Sequence, residues 1–76
     1  PATARLHRLE GRVIVRLVIQ HDGHITSATI ARSSGHDVLD QAALETIRQA
    51  SPLTLSQPLE KSSVTMQIPL GYYLDR

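Results

Sequence analysis

Residue types that carry out acid–base or metal chemistry are few in this 76-residue chain, which has four histidines and no cysteine. His21 and His24 flank a predicted turn, so their side chains could approach each other across its two ends. Structural zinc sites take four ligands, and the only nearby oxygen donors are Asp22 and Asp37. We therefore interpret these histidines as exposed turn residues and predict neither a metal site nor a cofactor.

The spacing of the serines and carboxylates gives little support to catalysis. Ser33, Ser34 and His36 are close in sequence, but neighbours within one turn seldom point at each other, and no Gly-x-Ser-x-Gly motif surrounds them. Asp40 and Glu45 lie five positions apart, which separates them by about 140° around a helix axis. We interpret the serines as a strand end and a helix cap, and the carboxylates as capping and solvated charges. The sequence predicts a protein that is not an enzyme.

The composition predicts one small domain over residues 1–76. Eight Lys and Arg face seven Asp and Glu, and the resulting net charge of +1 is scattered along the chain, so the sequence does not predict nucleic-acid binding. The core must consist of Val, Ile and Leu, because there are two Tyr, one Met and no Phe or Trp. The apolar runs are far shorter than the roughly 20 residues of a membrane span.

The first half of the chain predicts a β-hairpin. Residues Arg12 to Gln20 form a strand whose core side is an alternating apolar series: Val13, Val15, Leu17 and Ile19. Asp22-Gly23 predicts a type I′ turn, which needs positive φ at both central residues. The second strand is predicted from His24 to about Arg32. Its apolar positions change parity between Ile25 and Ala28, which leaves open a bulge or a late start.

A helix is predicted from Asp37 to Ala50. Its apolar stripe has helical spacing: Leu39, Ala43, Ile47 and Ala50. Asp37 or Ser34 can cap the first turn, and Pro52 ends the helix. A loop over residues 51–63 follows, with three leucines expected beneath it: Leu53, Leu55 and Leu59.

The last strand is predicted at the edge of a sheet. Its apolar residues alternate strictly with small or polar ones: Val64, Met66, Ile68 and Leu70. Pro69 has no N–H and is tolerated only at an edge or a bulge. An antiparallel sheet then requires this strand to pair with the first, which gives the order 2-1-3. The predicted fold class is α+β, a β-β-α-β chain with one helix on one face of a three-stranded sheet. Tyr72 and Tyr73 are predicted to end the last strand, with one packed over the sheet and the other partly exposed.

An ordered set of short motifs resembles the TonB C-terminal domain family over roughly residues 1–52. The motifs are Leu9-Glu10-Gly11-Arg12-Val13, Asp22-Gly23, Ser33-Ser34-Gly35-His36, Leu39-Asp40 and Ala42-Ala43-Leu44, after an opening with Pro and Ala. Each motif alone is weak, and their order makes the resemblance specific. The chain departs from the family late: it has Ala50-Ser51 where an aromatic is common, and Ile68 and Leu70 where a Phe is common.

The resemblance implies a periplasmic domain of an energy transducer, tied by a linker to an inner-membrane anchor upstream and driven by proton-powered motor proteins. Its partners would be outer-membrane receptors for siderophores, haem or cobalamin, and their TonB box would pair with the last strand. Carried onto this chain, the expected partner-binding residues are Ser63, Val64, Thr65, Met66, Gln67, Ile68, Pro69 and Leu70. An edge strand suits this role because its unpaired peptide groups can hydrogen-bond an extended peptide.

The sequence is also compatible with other functions. A TonB-like or TolA-like module could serve as an envelope scaffold or sensor without energising receptors. The same edge also allows a strand-exchanged homodimer. A ferredoxin-like enzyme would need a second helix and an active-site loop, and the sequence predicts neither.

Overall fold

The computed structural model describes residues 8–74, which form a three-stranded antiparallel sheet with one helix packed on one face. The elements in chain order are β1 (Gly11–Gln20), β2 (Ile25–Arg32), α1 (Asp37–Ala50) and β3 (Ser63–Tyr72). The strands lie in the order β2-β1-β3. The predicted fold class, element order and strand order are confirmed. The opening Pro and Ala of the family resemblance lie outside the described residues.

The core lies between the central strand and the helix, as the alternation of β1 predicts. Within residues 8–74, the buried apolar side chains come from β1 and α1: Val13, Val15, Leu17, Ile19, Leu39, Ala43, Leu44 and Ile47. The helix packs on β1 and β2. Ala50, predicted in the apolar stripe, is exposed and is the last residue of α1.

The hairpin between β1 and β2 differs from the predicted type I′ turn. The Gly23 N–H donates to the Gln20 carbonyl (2.9 Å), and the Gln20 N–H donates to the His24 carbonyl (2.8 Å), so three residues form the loop. Gly23 has φ +97°, whereas Asp22 is not among the residues with positive φ. This pattern is typical of a type I turn followed by a left-handed glycine, and it moves the start of β2 from His24 to Ile25.

Two register shifts occur where β2 pairs with β1. The register places Ile25 opposite Ile19 and Ser27 opposite Val18, so Thr26 is an extra residue. A bulge therefore explains the change of parity, and both Ile25 and Ala28 reach the core side. The second shift makes Ala31 the extra residue, because Ile30 lies opposite Val15 and Arg32 opposite Ile14.

The start of α1 is organised by a buried carboxylate, and the two predicted caps are wrong. The N-cap is His36, which makes no side-chain capping bond. Asp40, predicted as a capping or solvated charge in the first turn, is only 8% exposed and reaches back to the preceding loop. Its carboxylate accepts hydrogen bonds from the Ser34 N–H (3.0 Å), from Ser34 Oγ (2.7 Å) and from Ser33 Oγ. Burial raises the pKa of Asp40, but these hydrogen bonds outweigh it and hold the pKa below the ordinary 3.8.

The loop between α1 and β3 folds back over the hairpin turn. The Leu53 N–H donates to the Gly23 carbonyl (2.8 Å), and the Leu59 N–H donates to the His21 carbonyl (3.0 Å). Leu53 and Leu59 pack against the core, as predicted, while Leu55 is half-buried outside it. A side chain on Gly23 would place its Cβ 2.2 Å from the Leu53 carbonyl oxygen, which leaves no space for it. The positive φ of this residue also favours glycine.

Candidate peptide-binding edge

β3 lies at an edge of the sheet, where Pro69 predicted it. It pairs with β1 along its whole length, and among residues 8–74 no strand lies on its other side. All the expected partner-binding residues fall within this strand: Ser63, Val64, Thr65, Met66, Gln67, Ile68, Pro69 and Leu70. The strand continues past the expected partner-binding range through Gly71 to Tyr72, where the tyrosines were predicted to end it.

The direction of each peptide group of β3 follows from the register. The His21 N–H donates to the Ser62 carbonyl (3.0 Å), and Gln20 lies opposite Ser63. Opposite residues of an antiparallel pair alternate between bonded and non-bonded pairs, so the peptide groups of Ser63 and every second residue after it point away from β1. This unpaired series is Ser63, Thr65, Gln67, Pro69 and Gly71.

Pro69 is compatible with this alternation. Its missing N–H belongs to the series that faces away from β1, so β3 loses no hydrogen bond to the sheet. The outer edge of β3 therefore presents carbonyl groups at all five positions of the series and N–H groups at four of them.

The side chains of β3 divide between the two faces of the sheet. Val64, Ile68 and Leu70 are half-buried on the helix side, and Met66 is 42% exposed there. They are only partly covered because α1 packs on β1 and β2. The edge thus combines unpaired peptide groups with an apolar row at alternate positions.

Gly71 and the two tyrosines complete the edge, and all three lie beyond the expected partner-binding range, which ends at Leu70. Tyr72 packs against the core and Tyr73 is 71% exposed, as expected of the pair. A Cβ on Gly71 would lie 2.6 Å from Tyr73 Cε2, so the ring covers this glycine on the side away from the helix. Aromatic residues at positions 72 and 73 were the signal that the strand continues past Leu70.

The histidines around the hairpin do not form a metal site with their neighbours. Among residues 8–74, Asp22 is the one carboxylate that His24 contacts: His24 Nδ1 lies 3.0 Å from Asp22 Oδ1, which also accepts the His24 N–H (3.1 Å). These two hydrogen bonds lower the pKa of Asp22. No group of three His, Asp or Glu residues that could hold a metal ion occurs within residues 8–74. In the same part of the chain, no helix is long and apolar enough to cross a membrane.

Several known proteins are similar to this chain over nearly its whole length. Protein TonB of Helicobacter pylori is 35% identical over 74 residues, which is 97% of this chain and 25% of that protein. Protein TonB of Pseudomonas putida is 35% identical over 78 residues, covering 100% of this chain and 32% of the relative. The chain thus spans about a quarter to a third of the length of these curated relatives.

The fold and the sequence agree with a solved domain of the same kind. The solution structure of Helicobacter pylori TonB-CTD (residues 179-285) superposes with a TM-score of 0.81 at 34% identity, covering 100% of this chain and 68% of that one. The model of the family described as Gram-negative bacterial TonB protein C-terminal matches residues 1–74. With the β-β-α-β fold and the ordered motifs, these similarities show that the chain belongs to the Gram-negative bacterial TonB C-terminal family.

Proposed function

We propose that this chain is the periplasmic receptor-binding domain of a TonB-type transducer, a role without a catalytic step. The whole protein would be anchored in the inner membrane, where proton-driven motor proteins energise it. The domain would pass this energy to outer-membrane receptors for siderophores, haem or cobalamin. Membership of the family and the TonB relatives support this proposal.

The proposed contact is strand addition of a receptor's TonB box to the outer edge of β3. The observation that carries it is the unpaired series of peptide groups: Ser63, Thr65, Gln67, Pro69 and Gly71. An extended peptide would complete these hydrogen bonds, and its alternate side chains would contact the partly covered apolar row that includes Met66.

The expected strength of this contact suits a reversible coupling. Each added hydrogen bond contributes about 0.5–1.5 kcal/mol net, so four or five of them contribute roughly 2–7.5 kcal/mol, which corresponds to a weak, reversible contact with a Kd of a few micromolar at best. A peptide pulled along its own strand direction loads several bonds at once. Strand addition therefore suits the transmission of force better than a single side-chain contact.

A titration of the isotope-labelled chain with TonB-box peptides, followed by amide hydrogen exchange, tests the contact. In the free chain the amides of Val64, Met66, Ile68 and Leu70 face β1, so we expect them to exchange slowly. The amides of Ser63, Thr65, Gln67 and Gly71 should exchange fast and become protected only when the peptide binds. Protection of these alternate amides would establish the edge as the binding site.

A matched pair of variants at Gln67 separates backbone pairing from side-chain contact. Gln67→Pro removes an N–H that does not bond β1, so we expect the fold to remain while peptide affinity falls about tenfold or more. Gln67→Ala keeps the N–H and should bind nearly normally. Equal affinities for the two variants, or protection confined to other residues, would contradict strand addition and favour the scaffold or sensor role.

A further inference from the structure

The residues of the three strands place only positive charge on the sheet face opposite the helix. Arg12 and Arg16 of β1 are exposed on this open face, and Arg32 of β2 lies on it opposite Ile14. None of the three strands contains Asp or Glu. On the other side, α1 carries three carboxylates and one arginine: Asp37, Asp40, Glu45 and Arg48. The small net charge of the chain therefore hides a separation of charge between the two sides.

Arg32 reaches the open face because of the second bulge of β2. Ala28 and Ile30 lie on the core side, and a regular strand would place Arg32 with them, opposite Val13. The extra residue at Ala31 reverses this alternation and pairs Arg32 with Ile14. The bulge thus removes a charge from the core and brings a second arginine close to Arg12.

A shallow groove lies where these two arginines approach each other. It is lined by Arg12, Ile14, Arg32 and Ser33, and Ile14 is half-buried. Among residues 8–74, the ion pairs are His24–Asp22 and Arg48–Glu45, and neither involves the groove. Arg12 and Arg32 lie on diagonally adjacent positions of paired strands, where like charges repel. A bound anion would relieve this repulsion.

We propose that this groove binds a carboxylate side chain of an acidic, extended peptide segment in a partner protein. A guanidinium group binds a carboxylate through two parallel hydrogen bonds, and two such groups beside an apolar surface can hold one acidic residue in a fixed position. Half-buried Ile14 and Val18 and the ring of Tyr73 offer apolar contacts along the same face. The surface therefore matches a segment that mixes Asp or Glu with apolar residues.

The chemistry of the open face fits such a peptide better than a nucleic acid or a lipid surface. Binding to phosphate arrays draws its strength from many neutralised phosphates, and the sheet has three arginines and no lysine. The open-face groove is also separate from the outer edge of β3. Binding at the groove uses side chains, whereas strand addition at β3 uses backbone groups. An experiment can therefore reject one proposal without rejecting the other.

The test is an NMR titration of the labelled chain with a short, capped Glu- and Leu-containing peptide, and with the same peptide carrying Gln in place of Glu. We expect the acidic peptide to shift the amides of Arg12, Ile14 and Arg32 and the Nε–H signals of both arginines. Raising the salt from about 20 to about 300 mM should weaken binding severalfold, and the Gln peptide should not bind.

Matched charge variants decide whether the groove itself is responsible. Arg12→Gln with Arg32→Gln should weaken acidic-peptide binding about tenfold or more, while Arg48→Gln, which removes a charge from the helix side, should change it less than about twofold. Thermal unfolding should show that the exposed substitutions leave the fold intact. Equal losses in both kinds of variant, or shifts confined to β3, would overturn the proposal. Binding to anionic phospholipid vesicles but not to the peptide would overturn it as well, in favour of a membrane surface.

Discussion

The two faces of β1 have similar residues but different surroundings. On one face Val13, Val15 and Leu17 are fully buried beneath α1, and on the other Ile14 and Val18 are only half-buried between arginines. Among residues 8–74, one helix covers one face of a three-stranded sheet, and no helix or strand lies on the other face. The covered face supplies stability, while the open face and the outer edge of β3 remain available to partners.

The largest expected difference between covered and uncovered positions lies at two glycines. Gly23 and Gly35 both have positive φ, but a Cβ on Gly23 would meet the Leu53 backbone, whereas a Cβ on Gly35 would meet nothing within 4 Å. We expect Gly23→Ala to lower the free energy of unfolding by roughly 3 kcal/mol or more and Gly35→Ala by about 1 kcal/mol. Urea denaturation of the two variants measures the difference. Equal losses would mean that the loop does not cover the turn as described.

Two valines of β1, one on each face of the sheet, allow the contribution of the two faces to stability to be compared. Val15→Ala should lower the free energy of unfolding by about 2 kcal/mol, because it removes two buried methyl groups and leaves a cavity. Val18→Ala should cost less than about 1 kcal/mol, since Val18 is already half exposed to solvent. The loss of β propensity is common to both variants and cancels in the comparison. A larger loss for Val18 would show that the open face is covered in solution.

Asp40 and Asp37 allow a buried and an exposed carboxylate of the same helix to be compared. Asp40→Asn should lower the free energy of unfolding by about 1.5 kcal/mol at neutral pH, since the amide cannot accept all the hydrogen bonds from Ser33 and Ser34. Asp37→Asn, an exposed change in the same turn, should cost less than about 0.5 kcal/mol.

The stabilisation that Asp40 contributes should decrease as the pH falls. The pKa of Asp40 is lower in the folded chain than the ordinary 3.8, so the folded state favours the ionised form. The stabilisation is therefore complete above the unfolded-state pKa and is lost as the pH falls through the folded-state pKa. Denaturation of the parent chain and of Asp40→Asn at decreasing pH should give curves that converge below about pH 4. Curves that stay parallel into acid would contradict the assigned hydrogen bonds.

The sequence by itself determined the order and type of the elements. Strict alternation in β1 and β3 and helical spacing in α1 predicted both the elements and most of the core, because these periods record which side of each element is buried. Pro69 predicted the edge position of β3, since a missing N–H is tolerated where no partner strand needs it. The position of β3 at the edge of the sheet was therefore predictable from Pro69 and from the alternation of apolar residues in this strand.

Only the tertiary structure decided the features that depend on distant parts of the chain. The bulge at Ala31 places Arg32 on the open face, and the choice depends on pairing with β1, which the local sequence does not record. The loop over Gly23 and the burial of Asp40 likewise depend on contacts with Leu53 and with the preceding serines. Periodic burial is encoded locally, whereas register, bulges and buried polar contacts are settled when the strands, helix and loops pack together.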